Sequence, residues 1–130
     1  MTNKNNSASL SKLISMDHEM REFGFSWKHY DQIITQILNE TAEIKEALDA
    51  KESHVRVQEE IGDLLHATIS LALFTKCDVE KMIETSSKKL THRFKLMQKI
   101  ALTHGYANLK DQPTEVLLTF WNEAKKESSL

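Results

Sequence analysis

Two pairs of carboxylates carry the chemistry open to this chain: Glu40 and Glu43 in Leu38-Asn-Glu-Thr-Ala-Glu43, and Glu60 and Asp63 in Glu59-Glu-Ile-Gly-Asp63. Each pair is spaced i, i+3, so on a helix both carboxylates leave one face about a turn apart. Like charges at that spacing repel, and more strongly where apolar neighbours exclude water. A hard cation relieves the repulsion. Mg²⁺ takes oxygen ligands and keeps several waters that a phosphate substrate can displace, with Mn²⁺ a substitute suited to the same donors. The alternative is four solvated surface charges, the ordinary fate of Glu and Asp.

The neighbouring residues favour the metal. Between Trp27 and Ala50 the residues Tyr30, Ile33, Ile37, Ile44 and Leu48 recur at three- and four-residue steps, the pattern of one buried helix face. Glu40 falls inside that stripe and Glu43 at its edge. The second pair opens Ile61-Gly-Asp-Leu-Leu-His-Ala-Thr-Ile-Ser-Leu-Ala-Leu-Phe74, which is apolar in almost every direction around a helix. Asp63 is therefore expected to be embedded rather than solvated.

Positioning these acids falls to an all-α chain of about five helices in an antiparallel bundle. Residues 1–8, rich in Asn and Ser, are expected to form a disordered tail, and 9–130 a single domain. A first helix over about 9–23 has Leu10, Leu13, Met20 and Phe23 on one side and stops near Gly24. The second covers about 27–50 and the third about 54–76, joined through Lys51-Glu-Ser53; so short a link favours antiparallel neighbours that bring the two acidic pairs together. The fourth, about 78–103, has Val79, Met82, Ile83, Leu90, Phe94, Met97 and Ile100 as its buried stripe and stops at Gly105. Pro113-Thr-Glu115 restarts a last helix to about 126.

Composition agrees. The 130 residues include only three Gly and one Pro, and are long enough for one real core. A net charge of −2 supplies no basic field for nucleic acid. The apolar run around 64–74 is too short to span a bilayer. A lone Cys77 excludes an internal disulfide framework, and the polar stretch Met1 to Ser9 has no signal-peptide core; a cytoplasmic protein is expected.

Taken in order, several segments resemble the MazG-type nucleoside triphosphate pyrophosphohydrolases. Glu-x-x-Glu, 16 residues and Glu-x-x-Asp are similar to their metal motif, Phe23-Gly-Phe-Ser-Trp27 to the segment before it, and Glu59-Glu-Ile-Gly-Asp-Leu-Leu65 to their second metal helix. Lys89-Leu-Thr-His-Arg-Phe94 resembles their Lys-Phe-x-x-Arg-Phe element, and Trp121-Asn-Glu-Ala-Lys125 their closing Trp-x-x-x-Lys. The resemblance covers roughly residues 20 to 126. The chain departs from the pattern at Asn39, where a second Glu is usual, at Ser70 and Ser87, where Asn is common, and at Leu90, which replaces Phe. None of these removes an expected metal ligand.

The resemblance implies Mg²⁺ on Glu40, Glu43, Glu60 and Asp63 and hydrolysis between the α and β phosphates, giving a monophosphate and pyrophosphate, in keeping with nucleotide-pool house-cleaning. Lys89 and Arg93, spaced i, i+4, would meet phosphate oxygens, as would Lys125. Trp121 either stacks on a base or packs in the core with Leu117 and Leu118, and Trp27 either lines the nucleotide pocket or fills the core. His66 lacks a second His or a Cys at ligand spacing, and Cys77 lacks a nucleophile system. Glu46 and Glu59 border the acids, Glu46 as solvated helix surface. A third helix apolar nearly all round calls for self-association, and the resemblance likewise implies at least a homodimer. A phosphoribosyl-nucleotide pyrophosphohydrolase and a non-catalytic nucleotide-binding helical module stand as alternatives.

Overall fold

Five helices, and no strand, are found among residues 3–129, which the computed structural model describes: α1 (Asn3–Phe23), α2 (Tyr30–Asp49), α3 (His54–Phe74), α4 (Val79–Thr103) and α5 (Thr114–Ser128). Their ends are set locally. Gly24 follows α1 at φ 108° and Gly105 follows α4 at φ 88°, the left-handed region that glycine enters without a Cβ penalty. At the first, Phe25 N–H donates to the Met20 carbonyl at 2.9 Å; at the second, Tyr106 N–H donates to that of Ala101 at 2.9 Å. Helices α2 and α3 close with the same bond, Glu52 to Ala47 at 3.0 Å and Cys77 to Ala72 at 2.8 Å. There the left-handed residues are Lys51 and Lys76, at φ 54° and 62°.

Helix starts are capped as well. The His29 ring accepts from the Asp31 N–H at 3.1 Å while the Gln32 side chain accepts from the His29 N–H, a capping box that starts α2 at Tyr30 rather than at 27. Ser53 Oγ accepts from the Arg56 N–H at 3.2 Å and opens α3. Pro113, at φ −65°, precedes α5.

The helices divide into two compact units, one through Val79 and one from Glu80 onward. In the first, α2 and α3 pack together across the four-residue link 50–53, and α1 lies on α3. Leu10, Leu13 and Ile14 of α1, together with Leu73 of α3, pack against Ile69, Ala72 and Val79. Further along α1, Asp17 meets Ser70 and His66, so α1 and α3 run antiparallel. In the second unit Ile100 and Ala101 of α4 pack on Phe120 and Ala124 of α5, with Tyr106 and Leu109 of the connecting loop folded against them. Among the described residues no helix is long and apolar enough to cross a membrane.

Several expectations are corrected. Residues 3–8 are helical: nothing between 3 and 23 is Gly or Pro, so no residue stops α1 from extending back. Residues 1 and 2 of the expected tail lie outside the described residues. Phe23, expected on the buried side of α1, is 92 % exposed. Tyr30 and Leu48 are exposed at the two ends of α2, whose buried residues are Ile33 and Ala47. On α4 only Val79 and Ile100 of the expected stripe are buried; Met82, Ile83, Leu90 and Phe94 are exposed and Met97 is half-buried. Periodicity places apolar residues on one face of a helix, but burial of that face requires a partner surface along its whole length.

Candidate functional site

Glu40 and Glu43 leave the middle of α2, and Glu60 and Asp63 leave the first half of α3. The pairing of α2 and α3 brings three of them to one place: Glu40, Glu60 and Asp63 each have a carboxylate oxygen within 4.8 Å of the others, while Glu43 neighbours Glu60 outside that set. Their surroundings differ. Glu60 is 2 % exposed, Glu40 half-buried, and Glu43 exposed. Asp63 is exposed too, against the expectation that it would be embedded. In the first unit α3 is covered by α1 and α2 only, and its neighbours Ile61 and Leu65 share Asp63's exposure.

The donor set fits a hard cation. Oε2 of Glu40 and Oε2 of Glu60 are both buried with no hydrogen-bond partner among the described residues. Buried carboxylate oxygens are costly to leave unpaired, and a divalent ion between them would satisfy both. Burial raises the Glu60 pKa above the usual carboxylate range, as do the neighbouring Glu43 and Asp63, while Arg56 opposes the rise. Arg56 Nη2 lies 2.5 Å from Glu60 Oε1, and Arg56 Nη1 lies 3.5 Å from Glu59 Oε2. Glu59 is thus on the exposed surface beside this pair, and Glu46 is exposed as expected.

Beside the acids runs an open groove of about 490 Å³ lined by Trp27, Gln32, Gln36, Asn39, Glu40 and Glu43 among others. Trp27 is half-buried and forms part of this wall. Asn39 lines it too, so the position where the resemblance leads one to expect an acid presents a neutral amide here. Trp27 and Gln36 also border a cavity of about 40 Å³ that holds a polar cluster the sequence reading missed. In it Asp17, 4 % exposed, receives Arg21 Nε at 2.7 Å and Ser70 Oγ at 2.5 Å, with His66 Nε2 at 3.0 Å. Arg21 Nη2 also donates to the Ser70 carbonyl at 2.7 Å. The signal was present: Asp17 interrupts the apolar series Leu10, Leu13, Met20 at helical spacing. Arg56 was equally legible, four residues before Glu60 on the same helix face.

The remaining candidates stand in the second unit. Lys89 is exposed on α4, and Arg93, half-buried, donates from Nε to Ser128 Oγ at 3.3 Å. On α5 Trp121 is half-buried and Lys125 exposed. Neither Trp121 nor Leu117 and Leu118 belongs to the cluster around Phe120 and Ala124.

Residues 28–97 match the family model of the MazG nucleotide pyrophosphohydrolase domain. The chain is similar to the nucleoside triphosphate pyrophosphohydrolase/pyrophosphatase MazG of Thermotoga maritima, 32 % identical over 116 residues, covering 89 % of this chain and 44 % of that one. It is 26 % identical over 105 residues to the nucleoside triphosphate pyrophosphohydrolase of Escherichia coli K12, covering 80 % of this chain and 40 % of the relative. A third match, 33 % identical over 67 residues, is to the uncharacterized protein YabN of Bacillus subtilis, covering 52 % of this chain and 14 % of that one. The chain thus spans less than half the length of each of these relatives.

Proposed function

Because the chain belongs to the MazG nucleotide pyrophosphohydrolase domain family, we propose that it hydrolyses nucleoside triphosphates between the α and β phosphates, releasing a nucleoside monophosphate and pyrophosphate. The observation that carries this reading is the convergence of Glu40, Glu60 and Asp63 oxygens within 4.8 Å, two of the three residues having a buried, unpartnered oxygen. Glu40, Glu43, Glu60 and Asp63 would hold Mg²⁺, with Mn²⁺ as a substitute. Bound there, the ion supplies Lewis acidity and positive charge for attack of water on phosphorus.

The chain's own residues do the rest. Glu60, buried on α3, fixes one side of the site while the exposed Glu43 and Asp63 adapt to the substrate's approach. Trp27 offers an aromatic wall to the nucleoside along the groove that Glu40 and Glu43 share. Lys89, Arg93 and Lys125 enter as polyphosphate contacts, and Trp121 as a base contact, on the order and spacing of their motifs; positioning and electrostatics supply most of phosphoryl-transfer catalysis.

Self-association belongs to the same reading. Ile34 and Leu38 on α2, and Ile61 and Leu65 on α3, form two exposed apolar ridges one helical turn long. A second copy of the chain covering them would bury area that water now wets. We place the enzyme in the cytoplasm, in nucleotide-pool house-cleaning.

The test is incubation with each common and modified NTP and dNTP in Mg²⁺, with products identified by ion-exchange chromatography. Monophosphate with pyrophosphate is expected, and EDTA should abolish both. Release of diphosphate and orthophosphate, or full activity after exhaustive EDTA treatment, would overturn the reading.

A further inference from the structure

We propose that Arg56 is a positioning residue for the metal site, holding Glu60 in the conformation that presents its second oxygen to the cation. The proposal rests on the metal reading above and assigns a role to a residue outside the acidic quartet. Four observations support it. Arg56 Nη2 is 2.5 Å from Glu60 Oε1, and the Glu60 side chain is almost wholly buried, so the pair is held tightly at its carboxylate end. Glu60 Oε2 has no partner among the described residues, so guanidinium and cation have one oxygen each and need not compete.

Ser53 Oγ accepts from the Arg56 N–H, which pins the turn from which the side chain reaches forward. Finally, Arg56 lies in the first turn of α3, where the helix dipole disfavours a cation and where no acidic residue stands. A residue set against local preference marks a position chosen for something else. The reason is one turn further on, at Glu60. Without that hold, repulsion from Glu43 and Asp63 would turn the Glu60 carboxylate away from the cluster. Partners that orient metal ligands in this way typically change metal affinity about 10–100-fold when removed.

The experiment is calorimetric titration of the full chain with MgCl₂ alone, for the wild type, Arg56→Gln, Arg56→Lys and an Asp63→Asn control, with melting temperatures alongside. Arg56→Gln should bind Mg²⁺ about 10-fold more weakly or worse. Arg56→Lys, which keeps the charge but loses the planar fork, should fall between Arg56→Gln and the wild type. Raising Mg²⁺ should restore part of the activity that Arg56→Gln loses at limiting Mg²⁺, so the loss appears in the Mg²⁺ concentration needed. Equal or tighter Mg²⁺ binding by Arg56→Gln overturns the proposal, whether or not the melting temperature falls, since a purely structural pair would move stability alone. A wild type that binds no Mg²⁺ would overturn the metal reading and this proposal together, whereas binding that only Asp63→Asn abolishes strikes the role of Arg56 alone.

Discussion

Glu40 on α2 and Glu60 on α3 each keep Oε2 buried and without a hydrogen-bond partner among the described residues, across the seam where the two helices pack. Two such groups facing one acidic cluster are costly to leave unpaired, and if the cluster holds a cation, as proposed, that cost can be measured.

Mg²⁺ at about 100 times its dissociation constant should add roughly 2.7 kcal/mol of stability through mass action. Glu40→Gln keeps the side-chain shape and removes one charge, so its metal-free melting temperature should equal or exceed that of the wild type. Its Mg²⁺-induced rise and its activity should both vanish. Differential scanning calorimetry with and without MgCl₂ checks this; an undiminished rise in the variant would remove Glu40 from the site.

Arg93→Ala should lower kcat/KM by roughly two orders of magnitude, about 3 kcal/mol for one charge-assisted contact. Trp121→Ala should narrow discrimination among bases, since stacking contributes roughly 1–3 kcal/mol per base. Were Trp121 a core residue, the same change would cost about 3–5 kcal/mol of stability and affect all substrates alike. Steady-state kinetics on a substrate panel, run beside thermal melts, separates the two outcomes.

The pH dependence of stability should be marked by Asp17. Burial raises its pKa, but hydrogen bonds from Ser70, Arg21 and His66, together with the Arg21 charge, outweigh it and hold the carboxyl below its ordinary value. A carboxyl with a lowered folded-state pKa stabilises the fold above the unfolded value. That contribution is lost as pH falls through the folded one. Urea denaturation should therefore show wild-type stability falling below about pH 4, with a shallower fall in Asp17→Asn. At pH 7 that variant should be less stable by about 2–3 kcal/mol, the cost of breaking charged hydrogen bonds. Parallel acid profiles for the two proteins would show that Asp17 is not the titrating group.

Lys51 and Lys76 hold left-handed backbone positions that Gly24 and Gly105 hold elsewhere in the chain. An L-residue pays about 1–2 kcal/mol for that conformation, partly offset by glycine's larger entropy when unfolded. Lys51→Gly and Lys76→Gly should each stabilise by about 0.5–1 kcal/mol. Gly24→Ala and Gly105→Ala should destabilise by about 1 kcal/mol, and through backbone strain alone, because a Cβ at either site would meet nothing within 4 Å. Equilibrium unfolding midpoints test all four.

Static light scattering should give a mass at least twice the 15.0 kDa of one chain. Leu38→Asp with Leu65→Asp should reduce it, because a charge on each ridge opposes its burial. A wild-type monomer at micromolar concentration would refute the self-association proposal.

What this sequence determined by itself is mostly local. Gly24, Gly105, Ser53 and Pro113 mark helix ends through backbone freedom, capping and ring constraint, and those signals need no tertiary partner. The i, i+3 acids were legible for the same reason, since helical spacing alone puts each pair on one face. The short link after Asp49 even implied that the two pairs would meet. Tertiary structure alone decided which faces are covered. Phe23 and Leu90 fit apolar stripes as well as Ile33 and Ile100 do, yet the first two are exposed and the last two buried. Asp63 was drawn outward because no third element covers its side of α3 in this unit. The Asp17 cluster joins residues 49 and 53 positions apart. No local periodicity encodes such a bond, because it depends on two helices docking in register and excluding water from the charge between them.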